Sequence, residues 1–242
     1  MYADRRFGLY ASHLHNRLGA ADLTLAAAGL GDVWEILQVA LKPYPACHFV
    51  HACIEAAIKL AREHALDAAQ VQEVRALVPR EVVSTVCEPL QNKRRPANSY
   101  DAQFSIPYAV ATALRRGRFT LDDLDDAAIT DPDTLALANR VNYESDPAST
   151  FPRHYSGEVI VVTRDGRTLR RREQINRGNA ERPLSDAEIV EKFRSNASRV
   201  LSPAQAQRIE SLVLSIDVLA DVNQLASGLA AAEIHELSDE VQ

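Results

Sequence analysis

Residues 158–173, EVIVVTRDGRTLRRRE, set two runs of strand-forming residues on either side of Arg164-Asp165-Gly166-Arg167. Asp-Gly between such runs signals a hairpin, because a type I′ turn needs positive φ at both central positions. A β-hairpin from Glu158 to Glu173 is expected. Upstream, VQEVRALV at residues 71–78 is short and rich in β-branched residues and reads as a further strand. Before it, residues 47–65 (CHFVHACIEAAIKLAREHA) place Val50, Ile54, Ala57, Ile58 and Ala61 at spacings of three and four, one apolar helical face. Residues 40–176 therefore read as α+β, and residues 183–237 as helical.

The punctuation between these elements is also legible. Pro43 and Pro45 bias Lys42 and Tyr44 toward extended backbone, so Lys42 sits on a stiff loop entering a helix N-terminus. Gly29-Leu30-Gly31 marks a turn, and Pro79 opens a short helix ending near Cys87. Residues 88–101 (EPLQNKRRPANSYD) carry two prolines and no apolar period and read as an exposed loop. Asp101 is a candidate cap for the following helix. Pro107 is tolerated only in a first turn, which moves the start to Ser105, and Gly117 is a C′ stop. Asp131-Pro132 leads into a helical pattern at 134–140. Ser185 and Glu188 form a capping box for a helix over 185–196, and 203–215 and 216–226 continue as helices.

The 242 residues are 46% hydrophobic and 25% charged, the profile of a chain with a packed core rather than a disordered one. With 27 Lys+Arg against 33 Asp+Glu, the net charge of -6 leaves nucleic acid an unexpected partner. Cys47, Cys53 and Cys87 make no paired framework, and MYADRRFGLY lacks a signal-peptide run, so a reducing, cytoplasmic setting is expected. LTLAAAGLGDVWEIL is broken by Gly, Asp and Glu before the roughly 20 residues a bilayer demands, so no membrane is expected either.

The densest chemistry lies in Lys42-Pro-Tyr-Pro-Ala-Cys-His-Phe-Val-His51. An ammonium beside helix-initiating N–H groups suits a carboxylate or phosphate. The competing reading makes Lys42 a solvated loop residue, His51 a hydrogen-bonded core histidine and Cys47 core filler. A zinc set of Cys47, His48, His51 and Glu55 would draw on one helix alone, whereas tetrahedral sites draw on separated segments, so no metal is expected. Cys47 as a nucleophile is weighed against an inert thiol. Lys93-Arg94-Arg95 lacks interleaved aromatics, and Arg170-Arg171-Arg172 alternates across a strand; both read as solvated surface. Ser105 lacks a Gly-x-Ser-x-Gly elbow and reads as a cap.

Five stretches in order, GLGDVWEILQVALKPYP, KPYPACHFVHACIEAAIKL, EPLQNKRRPANSYDAQFSIPYAVATAL, GEVIVVTRDGRTL and RGNAERPLSDAEIVEKFRSNA, resemble the MmgE/PrpD family. That family includes 2-methylcitrate dehydratase, cis-aconitate decarboxylase and iminodisuccinate epimerase, and the resemblance spans most of residues 7–215. It implies a cofactor-free lyase or isomerase acting on small di- or tricarboxylates, as in propionate catabolism. It also implies an all-α domain, built from an N-terminal half and the last helices, with a smaller α+β domain inserted and the active site in the cleft between. On that plan residues 1–39 end the helical domain, 40–182 form the α+β domain, and 183–242 are returning helices of an all-α domain whose N-terminal half is absent.

By the same resemblance, Lys42, His48 and His51 are the catalytic candidates, and Lys42, Tyr44, Cys47, Cys87 and Lys93 the substrate-binding ones. The chain would be a C-terminal fragment holding half of a site, completed by a homodimer partner or by a complementing N-terminal helical half. A noncatalytic binding or assembly module is the alternative. Apolar stripes at Ile189, Phe193, Ile209, Leu212, Val213 and Ile216 would need a partner surface.

Overall fold

Alternation in residues 71–78 buries Val71, Val74, Ala76 and Val78, the central rail of the sheet. The computed structural model describes residues 8–14, 19 and 22–230. The chain divides into two units, Met1–Val39 and Ala40–Gln242. Within the first lie α1 (Leu9–Leu14) and 3₁₀ turns at Leu23–Ala27 and Glu35–Gln38. Gly29 and Gly31 take positive φ, giving the turn expected of Gly29-Leu30-Gly31.

The second unit carries α2 (His51–Glu63), α3 (Val83–Val86), α4 (Leu90–Arg94), α5 (Ser99–Gln103), α6 (Ile106–Arg116), α7 (Asp126–Ile129) and α8 (Pro132–Ala138). It closes with α9 (Asp186–Ala197), α10 (Pro203–Leu214) and α11 (Asn223–Ala230). Strands β1 (Val71–Val78), β2 (Val141–Ser145), β3 (Gly157–Thr163) and β4 (Thr168–Glu173) form one sheet in the order β2-β1-β3-β4. β1 and β2 run parallel, whereas β1–β3 and β3–β4 are antiparallel. A register shift between Val71 and Glu73 lets Val71 and Val74, an odd number apart, both enter the core. α2 packs on β3, β4 and α6, and Ile54, Leu60, Ile106 and Leu114 fill the layer. The fold is thus mixed α+β with helices following the sheet. No helix among the described residues is long and apolar enough to cross a membrane.

Several local expectations hold. Ser105 caps α6, its side chain accepting from Tyr108 N–H at 3.0 Å, and Gly117 ends it in the left-handed region at φ +63°. The Ser185–Glu188 capping box opens α9. On β4, Arg170 and Arg172 pair with Glu158 while Arg171 pairs with Glu63 and Glu173, so the triplet is split between two faces as the strand period demands.

Four expectations are corrected. Residues 88–101 are not a loop but contain α4 and the start of α5, held by tertiary anchors such as the Arg94 guanidinium on Val141 O and Asn142 Oδ1. Asp101 lies inside α5; Asn98 caps that helix by accepting from Asp101 N–H at 2.9 Å. The hairpin turn is not type I′, since only Gly166 has positive φ. Asp165 instead accepts from the Thr163 hydroxyl, and Thr163 N–H closes a three-residue loop onto Arg167 O at 2.9 Å. Over 216–226 the helix begins only at Asn223. Residues 231–237 of the expected helical stretch lie outside the described residues.

Candidate functional site

The loop 42–46 is fixed from both ends. Leu41 N–H donates to Gly178 O at 2.9 Å. Gly178 has φ +89°, and a Cβ there would fall 1.8 Å from Leu41 O, so only glycine permits this approach. Tyr44 is buried, and its hydroxyl donates to Glu55 Oε2 at 2.6 Å. Glu55 in turn meets Arg177 at 3.1 Å, Lys59 at 3.1 Å and Arg182 at 3.4 Å. Burial works to raise the Glu55 carboxyl, but the Tyr44 hydroxyl, Arg177 and Lys59 outweigh it and hold the group below its ordinary value. Burial and the Glu55 charge push the Tyr44 hydroxyl far up, so Tyr44 is a neutral strut whose donor is committed to Glu55. Glu55 is equally committed and does not join Cys47, His48 and His51. Among the described residues no three His, Cys, Asp or Glu side chains gather as a metal site would require.

The 3₁₀ turn His48–Val50 runs directly into α2 and brings His48 and His51 together, ring centroids 4.9 Å apart. His51 also meets the Tyr44 ring edge-on at 5.4 Å, and His48 meets Tyr155 edge-on at 4.9 Å. His51 Nε2 lies 3.2 Å from Ala46 O. A carbonyl only accepts, so Nε2 carries the proton and Nδ1 a lone pair. That Nδ1 is buried and has no partner among the described residues, an acceptor left open inside the motif. Burial and the neighbouring charges of His48, Lys42 and Lys192 push the His51 ring down to about 3, so it is neutral near neutral pH. Burial, then Lys42, also lowers His48, whose Nε2 faces the Asn176 side-chain nitrogen.

Lys42 and Lys192 act on this pair and Lys93 on the neighbouring Cys47 and Cys87, and among the described residues none of the three forms a salt bridge to a carboxylate. Lys42 donates to Ala46 O at 3.3 Å, Lys93 to Thr85 O at 2.7 Å, and Lys192 to the carbonyl of Lys42 itself at 2.5 Å. Burial lowers Lys93, opposed by Asp101, Cys87 and Cys47. Cys47 is half-buried, and its N–H donates to Gln103 O at 2.9 Å. Cys87 is fully buried in the core, and burial pushes its thiol up to about 12, so it is a neutral thiol behind the site rather than a surface facing substrate. Cations without salt-bridge partners among the described residues, beside one buried and one half-buried imidazole, are an arrangement that suits an anion.

A cavity of about 390 Å³ opens on the other side of the loop, walled by Tyr44, Glu55, Lys59, Arg177 and Lys192. It touches neither histidine, so Lys192 is the link between the two sides.

The structure thus brings Lys42, His48, His51 and Cys47 together, with Lys93 and Cys87 in one field. Tyr44 acts from below through Glu55. Lys192 and Asn176 escaped sequence reasoning as site components, and Glu55 was weighed only as a metal ligand. For Lys192 and Asn176 no local signal existed, since they lie 150 and 128 positions from their partners. Glu55 could have been found as a lone carboxylate inside an apolar helical face.

The chain is similar to known proteins of one family. The family model described as MmgE/PrpD C-terminal domain matches residues 44–218. Cis-aconitate decarboxylase of Homo sapiens is 27% identical over 197 residues, covering 78% of this chain and 39% of that protein. The cis-aconitate decarboxylase-like protein oryM of Aspergillus oryzae is 29% identical over 203 residues, 81% of this chain and 41% of its own length. The 2-methylcitrate dehydratase of Cupriavidus necator is 30% identical over 183 residues, 72% and 37% respectively. The chain therefore spans about two fifths of the length of these relatives. With most of its described core inside the matched span, the chain belongs to the MmgE/PrpD family.

Proposed function

We propose that this chain supplies the carboxylate-binding side of a 2-methylcitrate dehydratase-like lyase acting on small di- or tricarboxylates. The observation that carries the reading is the set of three ammonium groups, Lys42, Lys93 and Lys192, none of them salt-bridged to a carboxylate among the described residues, with Lys42 and Lys192 acting on the lowered histidines. Elimination of water from a β-hydroxy acid needs a base beside the carboxylate, an acid for the departing hydroxide, and cations for the charge that develops. Lysines hold the carboxylates, and the half-buried His48 ring, unlike the sealed His51 Nδ1, is open to a substrate oxygen. A ring pushed down to about 3 is too weak a base to take an α-proton by itself. The opposing base therefore comes from a further segment, either a helical half of the kind the resemblance implies or a second copy.

Exposed Val213, Leu214, Ile216, Val218 and Val222 after α9 support a further packing surface. Decarboxylation of cis-aconitate is the second reading, supported by relatives that carry that name. Both reactions share the carboxylate grip and differ in the bond broken. The test is calorimetry and turnover with citrate, 2-methylcitrate, cis-aconitate and iminodisuccinate, with and without an added N-terminal helical half. Binding by the chain, with turnover only after complementation, supports the proposal. No binding of any carboxylate by either preparation sinks it in favour of an assembly module.

A further inference from the structure

The side chain of Asn176 is buried between two fixed partners. Its Oδ1 accepts from the backbone N–H of Tyr155 at 3.2 Å, and its Nδ2 faces His48 Nε2. The Tyr155 amide can only donate, so the orientation of the Asn176 amide is not free: reversal would set an NH₂ against an N–H. With Nδ2 directed at the imidazole, His48 Nε2 must accept, and the ring proton must reside on Nδ1. The segment is itself anchored, since Asn179 N–H donates to Asn176 O and the Arg182 guanidinium donates to Ile175 O at 2.8 Å.

We infer that Asn176 is a positioning residue that locks His48 as the neutral Nδ1–H tautomer. His51, whose Nε2–H is spent on Ala46 O, is fixed the opposite way. The two adjacent rings then differ in what they offer: a donor from His48 Nδ1 and an acceptor from His51 Nδ1. The catalytic consequence rests on the carboxylate-lyase reading above: His48 Nδ1 is a hydrogen-bond donor for a carboxylate or departing oxygen, while His51 Nδ1 stays a sealed acceptor. The tautomer itself does not rest on that reading.

The test is long-range proton–nitrogen NMR of the labelled 242-residue chain at alkaline pH, with His48 assigned by His48→Gln. Nε2 is expected as an unprotonated, pyridine-type nitrogen and Nδ1 as a protonated one. In Asn176→Asp the carboxylate accepts from both neighbours, so Nε2 gains the proton. The His48 titration also moves up against the opposing field of Lys42 and its neighbours His51 and Tyr155. Asn176→Ala removes the lock and should shift the ring toward the Nε2–H form favoured in water. A protonated Nε2 in the unsubstituted chain overturns the inference even if both variants fail to fold, and so does an Asn176→Ala spectrum with His48 unchanged. Citrate added afterwards tests the other reading separately: unmoved His48 signals would count against carboxylate binding and leave the tautomer assignment standing.

Discussion

The Tyr44 hydroxyl and the Glu55 carboxylate, 2.6 Å apart, tie the loop that carries Lys42 to the buried flank of α2. Around that bond Lys59, Arg177 and Arg182 converge on Glu55, and Lys59 and Arg182 continue to Glu173. The loop is held by a charge network rather than by apolar packing alone.

Glu55→Gln should therefore destabilise the fold by about 3 kcal/mol, the low end for breaking a buried ion pair, because the three cations keep some water contact. Urea denaturation reads this as a lower midpoint at unchanged slope. An unshifted midpoint would mean that the network is decorative.

Acid should weaken the chain in two stages. The His51 ring is held down to about 3 when folded against an ordinary value of 6.5, so the unfolded chain binds the extra proton first and stability falls as pH drops below 6.5. Glu55 and Asp146 are also held below their ordinary values, the latter against burial by the paired contacts of Arg172 at 2.7 and 3.1 Å. Their contribution is complete above the ordinary carboxylate range and is lost as pH falls through their folded values. Melting curves across pH check the sum, and His51→Gln should flatten the upper stage only.

Lys42→Ala should weaken citrate or 2-methylcitrate binding by about tenfold or more, the loss of a charge-assisted hydrogen bond. Because the side chain is exposed and among the described residues bonds only Ala46 O, the melting temperature should barely move. Unfolding with unchanged affinity would make the residue structural.

Gly178→Ala should damage both properties at once. The new methyl would strike Leu41 O, and a positive φ disfavours any side chain, so the Leu41–Gly178 bond must break and release the loop. Reduced stability together with weaker carboxylate binding is expected; an unaffected affinity would show that Lys42 does not depend on this clip.

What the sequence determined by itself is local. The apolar face of α2, the cap at Ser105, the stop at Gly117, the capping box of α9 and the two strands of the hairpin all follow from spacing within a dozen residues. Lys42, His48 and His51 were legible as a group because they share one proline-stiffened turn and helix start. The tertiary structure decided the rest. β2 carries no strand signal of its own, with only Val141 well buried, and exists because β1 offers it a parallel edge. α4 and α5 stand on anchors to β2 and on caps rather than on an apolar period. Lys192 at the Lys42 carbonyl, Asn176 at His48 and Arg177 over the Tyr44 ring reach the site from more than a hundred positions away. Side-chain period reports which face of an element is buried, but not which distant polar group will meet it. Only the close packing of α2 on the sheet, with α9 tied to the 42–46 loop and to Arg177 through Lys192 and Glu188, fixes those meetings, and with them the charge and tautomer of the site.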